Sequence, residues 1–338
     1  MKLKINNFNM ISSAEIELSG LTVIAGENDT GKSTIGKLLF SAIKASNMSR
    51  VKQTKKNKTP AYEGTFKQVL SLVFDDYEAS NSKIIISSES SEVYRIESDH
   101  KGWFTHKGNI DSLQLLDATY IESPIVWSLV DFFTTVGKIR EQDQMFNIAD
   151  EIKYPYLLWD LYRKLVLKRS YRVEENETYD QILEAIRKIV GGNITSSFEK
   201  FYFNRLQDNK QFPVTTVATG IKSFGLLEIL TINKYINPKS IIIIDEPEVH
   251  LHPSWEVEYA KLVSQFVRLG VKVIVTTHSL YMVKALREFT KDIPDNVKFY
   301  LTSKSENQMS VIEDVSKETH KIFKKFADPL QDIVWGKS

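Results

Sequence analysis

Leu21-Thr22-Val23-Ile24-Ala25-Gly26-Glu27-Asn28-Asp29-Thr30-Gly31-Lys32-Ser33-Thr34 is the stretch that decides the fold. An apolar run at Leu21 to Ala25 reads as a buried strand, the next eight residues satisfy G-x-x-x-x-G-K-S, and a helix is expected from Thr34 to Ala42. Backbone N–H groups of such a loop, together with the positive end of the following helix, present donors to a phosphate. Gly26, Glu27, Asn28, Asp29, Thr30, Gly31, Lys32, Ser33 and Thr34 are therefore the candidate phosphate cradle. Lys32 would neutralise β and γ oxygens, and the Ser33 hydroxyl would hold Mg²⁺. Asp29 stands where many such loops carry a third glycine, and Asp tolerates the left-handed conformation needed there. The alternative is a chance turn between strand and helix.

The second half of a nucleotide site stands far along the chain. Ile241-Ile242-Ile243-Ile244 delivers Asp245-Glu246 to the carboxyl end of a buried strand, the edge at which open α/β sheets bind ligands. Asp245 is read as the Mg²⁺ acid and Glu246 as the group that polarises the attacking water. Without that chemistry, Asp245-Glu246-Pro247 would only end a strand. Val275-Thr276-Thr277-His278-Ser279 ends the next strand and would bring His278 to the same edge, as an orienting donor or as a bystander. His250 and His252 are read as shaping the loop after Asp245 and meeting a second subunit; a transition-metal centre lacks other donors.

Around these motifs the pattern alternates strand and helix. Helices are expected at Ser254 to Leu269 and Leu280 to Arg287, with a buried strand at Val271 to Val275. Residues 2 to 20 alternate polar and apolar and read as two edge strands. Short strands are expected at Lys83 to Ser87 and Val93 to Glu97, with a stronger one at Leu113 to Ile121. Ile125 to Ile189 carries helical spacing and forms a helical lobe. One strand at Ser196 to Phe203, a helix from Gly220 to Tyr235, strands at Lys298 to Thr302 and Met309 to Glu313, and a short helix with Ile322, Phe323 and Phe326 complete the reading. The stretch from Ser49 to Thr59, with Arg50, Lys52, Lys55, Lys56 and Lys58, is expected to be a solvated basic loop.

Composition narrows the function. The 338 residues are 42% hydrophobic and 26% charged, enough for a large core. Lys plus Arg number 44 against 43 Asp plus Glu, so no global field draws the chain to nucleic acid or lipid. The absence of cysteine excludes disulfides, thiol nucleophiles and thiolate zinc sites and points to the cytoplasm. No apolar run approaches the roughly 20 residues of a membrane span, and the start has no signal-peptide pattern.

Gly26 to Ser33, Asp245 to Pro253 and Thr276 to Ser279 together resemble the ABC-type ATPases of the SMC, DNA-repair and overcoming-lysogenization-defect (OLD) group. Glu-Pro-Glu-x-x-Leu-His-Pro resembles the OLD-like branch in particular. The resemblance covers residues 1 to 45 and 205 to 300. It implies an α/β P-loop NTPase of ABC-ATPase type, with a mixed central sheet flanked by helices and an inserted helical lobe. The implied partition is a first nucleotide-binding lobe at 1–125, the helical lobe at 126–204 and a second lobe at 205–338.

It further implies ATP and Mg²⁺ as ligands and a homodimer that sandwiches ATP, in which a helix-opening signature of one copy caps the nucleotide of the other. Val217-Ala218-Thr219-Gly220-Ile221-Lys222-Ser223 lies at the expected place, with Thr219 supplying the hydroxyl and Gly220 the close approach. A plain helix start is the alternative. No glutamine follows Ile121 where the family carries one, and Glu122 or Ser123 is the expected substitute. About 60 residues follow His278, fewer than the OLD nuclease domain needs. The implied function is an ATP-driven switch acting on a separate nuclease or toxin in anti-phage defence. A repair-type DNA clamp using the Arg50–Lys58 loop is the second reading, and a transporter ATPase the third.

Overall fold

The computed structural model describes residues 1–55, 62–74, 77–88, 91–108, 115–146, 154–169, 177–197 and 200–334. In chain order the elements are β1 (Lys2–Phe8), β2 (Ile11–Glu17), β3 (Leu21–Gly26), α1 (Lys32–Lys55), α2 (Tyr62–Val73), β4 (Lys83–Ser88), β5 (Ser91–Ser98), β6 (Phe104–Gly108) and β7 (Asp117–Ile121). They continue with α3 (Val130–Phe146), α4 (Tyr156–Val166), α5 (Glu177–Val190), β8 (Gly192–Ser197), β9 (Lys200–Arg205), β10 (Gln211–Pro213) and α6 (Thr219–Ile232). The last are β11 (Ser240–Asp245), α7 (Pro253–Arg268), β12 (Lys272–Thr277), α8 (Leu280–Phe289), β13 (Val297–Lys304), β14 (Ser310–Asp314) and α9 (His320–Val334).

Eleven strands form one mixed sheet in the order β6-β5-β4-β1-β2-β14-β13-β3-β12-β11-β7. From β13 to β7 every neighbouring pair is parallel, so the carboxyl ends of β3, β12, β11 and β7 lie along one edge. This part is covered on both faces, and β3, β7 and β11 are buried at every position. Ile241 and Ile243 of β11 pack with Ile35, Leu38 and Leu39 of α1. Ile242 and Ile244 face the other way, into a core with Phe224, Tyr259 and Met282 of α6, α7 and α8.

Four expectations need correction. β1 and β2 are interior, pairing with β4 and β14 as well as with each other. Their alternation reflects a wing with one wet face, not an edge. The single strand at Ser196 to Phe203 is a hairpin: Ile194 pairs with Phe203, and β8, β9 and β10 form a separate sheet. Ser196 and Ser197 close the pairing, opposite Phe201 and Lys200. The strand expected from Leu113 begins at Asp117; residues 113 and 114 lie outside the described ones. The helix expected to stop at Ala42 runs to Lys55, through half of the supposed basic loop. No glycine or proline interrupts residues 37–59, and Ala42, Ile43 and Ala45 keep the helix buried past its expected end. Lys56 and Lys58 lie outside the described residues. Neither α2 nor β6 was anticipated, although Phe66, Val69 and Leu70 of α2 carry helical spacing and are buried.

The helical lobe joins the sheet through buried charge. Lys164 of α4 is 3% exposed and donates to the Ala118 carbonyl (2.5 Å) and the Thr119 hydroxyl (3.1 Å) of edge strand β7. It also pairs with Asp160 at 2.8 Å and Asp117 at 3.3 Å. Lys44 of α1 pairs with Asp160, and Arg169 with Asp117. Burial alone would raise the Asp160 carboxyl, but Lys164 and Lys44 outweigh it and hold the group at about 2. The stability this adds is present above the unfolded value near 3.9 and is lost as pH falls toward 2.

Removing the charge of Lys164 leaves two buried carboxylates short of a partner. Lys164→Met is expected to destabilise the fold by about 3–5 kcal/mol, read as a lower urea midpoint; a midpoint equal to the parent's would show that the cluster contributes nothing.

Candidate nucleotide site

β3 ends at Gly26 and α1 opens at Lys32, so the sequence between them has five residues in which to turn. Asp29 (φ +57°) and Gly31 (φ +79°) take the left-handed conformations that the turn requires. Gly26 is required for a different reason: a Cβ there would stand 2.0 Å from Thr302 Oγ1 and 2.7 Å from the Thr302 carbonyl on β13. The same Thr302 hydroxyl meets the Thr30 hydroxyl at 2.5 Å, and Thr30 also donates to the Glu27 carbonyl at 2.7 Å. Glu27, Asn28 and Asp29 are exposed, Thr34 half-buried. Lys325 of α9 stands 3.0 Å from Glu27, and Lys304 of β13 stands 2.5 Å from Asp29. The Lys32 side chain is 4% exposed. Its Nζ lies over the loop, donating to the carbonyls of Gly26 (3.1 Å) and Glu27 (2.7 Å).

The parallel register brings the distant motif to this loop. Asp245 Oδ1 accepts from the Ser33 hydroxyl at 3.0 Å and from the Thr276 hydroxyl, while Oδ2 accepts from Tyr120 at 2.7 Å. Burial, followed by the Asp245 charge, pushes the Tyr120 phenol well above its ordinary value, so it stays a donor. Glu246 has φ +48° and ψ 57°, a left-handed conformation uncommon for a non-glycine residue. Its N–H donates to the Thr276 carbonyl at 3.1 Å. The turn sets the Glu246 carboxylate 3.5 Å from Lys32 Nζ and 3.6 Å from His278 Nδ1. Lys32, Ser33, Asp245, Glu246 and His278 thus meet on one edge.

Four supporting residues were missed by sequence reasoning: Tyr120, Thr276, Thr302 and Glu248. Glu248 is buried, and its Oε1 accepts from the Thr277 hydroxyl and the His278 N–H, both at 2.7 Å, and lies 3.3 Å from His278 Nδ1. Among the described residues its Oε2 has no hydrogen-bond partner. The two-residue spacing of Glu246 and Glu248 across Pro247 was the available signal; Tyr120 and Thr302 gave none.

The other expected residues are placed as follows. Glu122 pairs with Lys37 of α1 at 3.4 Å, and Ser123 Oγ accepts from the Ile125 N–H at 3.2 Å, capping a 3-10 turn at Pro124–Leu129. Both line a cavity of about 280 Å³ together with Ser33, Asp245 and Glu246. Thr219 is exposed at the start of α6, whose N-cap, Ala218, makes no side-chain capping bond. A Cβ at Gly220 would meet the Trp255 ring at 2.7 Å. Among the described contacts neither Thr219 nor Gly220 bonds to loop 26–33, Asp245 or Glu246. His252 accepts from the Ser254 N–H at 3.3 Å and caps α7, while His250 is exposed.

The donor set fits magnesium. A hydroxyl and a carboxylate 3.0 Å apart are hard oxygen donors, and Mg²⁺ is held by one or two such protein groups with phosphate and water completing its shell. Among the described residues no group of three or more His, Cys, Asp and Glu could form an all-protein cage. Glu248→Leu removes the acceptor from the buried Thr277 hydroxyl and the part-buried His278 N–H. The expected cost is about 1–3 kcal/mol, measured by urea unfolding, and unchanged stability would dismiss Glu248 as the anchor of the Thr277-His278 turn.

Comparison with known proteins identifies the family and the fold. The chain is 24% identical over 316 residues to the Septu protein PtuA of Bacillus thuringiensis, covering 84% of this chain and 72% of that protein. The Smc head bound to the C-winged helix domain of ScpA superposes with a TM-score of 0.51 at 13% identity, covering 95% of this chain and 98% of the other. The Smc head with an extended coiled coil, bound to the C-terminal domain of ScpA derived from Pyrococcus furiosus, gives 0.51 at 13% identity, covering 96% and 98%. These likenesses show the fold of an SMC-type P-loop ATPase head. Residues 21–284 match the family described as "AAA domain, putative AbiEii toxin, Type IV TA system", and the chain belongs to that ATPase family.

Proposed function

We propose that this protein is an ATP-hydrolysing switch. Two copies sandwich ATP, hydrolysis releases them, and the nucleotide state sets the helical lobe at 126–204, between lobes at 1–125 and 205–338. The lobe in turn controls a separate effector, a nuclease or toxin, in cytoplasmic anti-phage defence. The observation that carries the reading is the Glu246 carboxylate between Lys32 Nζ (3.5 Å) and His278 Nδ1 (3.6 Å). A scaffold that only held nucleotide would have no use for an acid in a left-handed turn beside the phosphate lysine.

In this mechanism the loop N–H groups and Lys32 grip the β- and γ-phosphates of ATP. Mg²⁺, held by Ser33 and Asp245, would neutralise charge on the phosphate oxygens. Glu246 takes the proton of the attacking water as its oxygen bonds to the γ-phosphorus and the β–γ bridge breaks, and His278 orients that carboxylate. Thr219 and Gly220 act in trans. Thr219, exposed at the start of α6, supports this role, because the positive end of that helix suits a γ-phosphate on a second copy.

The likeness to a Septu protein and the family's toxin description support the defence setting. No helix of the described residues is long and apolar enough to cross a membrane.

Three measurements test the proposal. Lys32→Ala should abolish ATP binding. Glu246→Gln should bind ATP yet release phosphate about 10²- to 10⁴-fold more slowly, and with ATP it should accumulate as a dimer in solution scattering. Undiminished turnover removes Glu246 from the mechanism, and a monomer under these conditions removes the sandwich.

A further inference from the structure

Tyr120 is a buried phenol that no motif predicts. It lies on β7, the strand at the edge of the sheet, beyond β11, which carries Asp245. Its hydroxyl donates to Asp245 Oδ2 at 2.7 Å. The other Asp245 oxygen is the one shared by Ser33 and Thr276. One carboxylate is thus held by three hydroxyls from three segments, with the Ser33 contact on Oδ1 and the Tyr120 contact on Oδ2.

From this geometry we infer that Tyr120 is a positioning residue for magnesium, fixing the rotamer of Asp245 so that its carboxylate and the Ser33 hydroxyl present a preset pair of oxygens. The inference rests on the nucleotide reading above and assigns Tyr120 no contact with ATP. Packing around the phenol and bonds to its strand restrain it further. A Cβ at Gly36 would stand 3.2 Å from the Tyr120 ring, so glycine lets the α1 backbone pass beside it. Phe40 meets the ring edge-on at 6.3 Å between centroids. On the same strand, Lys164 of the helical lobe grips Ala118 and Thr119, the two residues before Tyr120. The metal carboxylate is therefore linked to the lobe by one side chain and two peptide units. Second-sphere donors of this kind orient metal ligands, and their removal costs about 10- to 100-fold in metal affinity.

The test separates metal from nucleotide. ATP binding to the full chain is measured by equilibrium dialysis in EDTA and across a Mg²⁺ titration. Tyr120→Phe keeps the ring and loses the donor. Its ATP affinity in EDTA is expected to stay within about twofold of the parent's, while the Mg²⁺ concentration giving half-maximal enhancement rises about 10- to 100-fold. Superimposed Mg²⁺ titrations overturn the inference. So does an equal loss of affinity in EDTA and in Mg²⁺, which marks a merely structural role. A parent chain that binds no ATP under either condition overturns the nucleotide reading, and the inference with it.

Should Tyr120→Phe not fold, 3-fluorotyrosine placed at position 120 of the parent supplies the second readout. Its ¹⁹F resonance should shift when Mg²⁺ joins the ATP complex and stay put when ATP binds in EDTA. A resonance indifferent to Mg²⁺ is the overturning result.

Discussion

The hydrogen bond from Ser33 to Asp245 joins two segments 212 residues apart, and the rest of the site depends on that closure. Neither segment can reach the other by local structure. What brings them together is the parallel register, in which β12 pairs with β3 on one side and β11 on the other. Strands that run parallel expose their carboxyl ends at one edge, so a loop after β3, an acid at the end of β11 and a histidine after β12 become neighbours. The four isoleucines of β11 serve this placement. Two pack against α1 and two against the opposite helices, and that double-sided burial fixes which way the strand lies and where Asp245 emerges.

Around the closure, short polar side chains do the aiming. Thr276 holds both Asp245 and the Glu246 backbone, Thr302 holds Thr30, and Glu248 holds the turn that carries His278. Each is buried, so each bond is made where a missing partner is costly. The left-handed Glu246 belongs to the same logic: a strained turn is kept because the hydrogen bonds on both sides of it determine its conformation. Farther out, Lys44, Asp117, Asp160, Lys164 and Arg169 tie α1, β7 and the helical lobe together. Such a cluster adds little net stability over an apolar packing, but breaking it strands charge in the interior, and it restricts how the lobe can sit on the sheet.

Much of this was legible in the linear chain, and unevenly so. The phosphate loop, the Asp245-Glu246 pair and His278 announce themselves by residue type after an apolar strand. β3, β11 and β12 were legible because burial on both faces leaves runs such as Val23 to Ala25, Ile241 to Ile244 and Val273 to Val275 without a polar residue. β1 and β2 misled for the converse reason: one wet face writes the same alternation whether the strand is at an edge or inside a wing. The β8–β9 hairpin was read as one strand because no glycine, proline or asparagine stands between Thr195 and Tyr202 to mark a reversal. α1 was read short because lysine-rich sequence is compatible with loop and helix alike, and only the burial of Ala45 on its inner face distinguishes them.

The sequence by itself determined the phosphate-loop motif, the α/β class and the presence of carboxylate, imidazole and hydroxyl groups after apolar strands, since these follow from residue type and local period. The tertiary structure alone decided which groups support them. Tyr120, Thr302 and Lys164 act across sheet neighbours and helix packing, and a hydrogen bond between residues more than a hundred positions apart leaves no local signature in either of them. Local order encodes which chemistry is present; long-range register encodes where it is aimed.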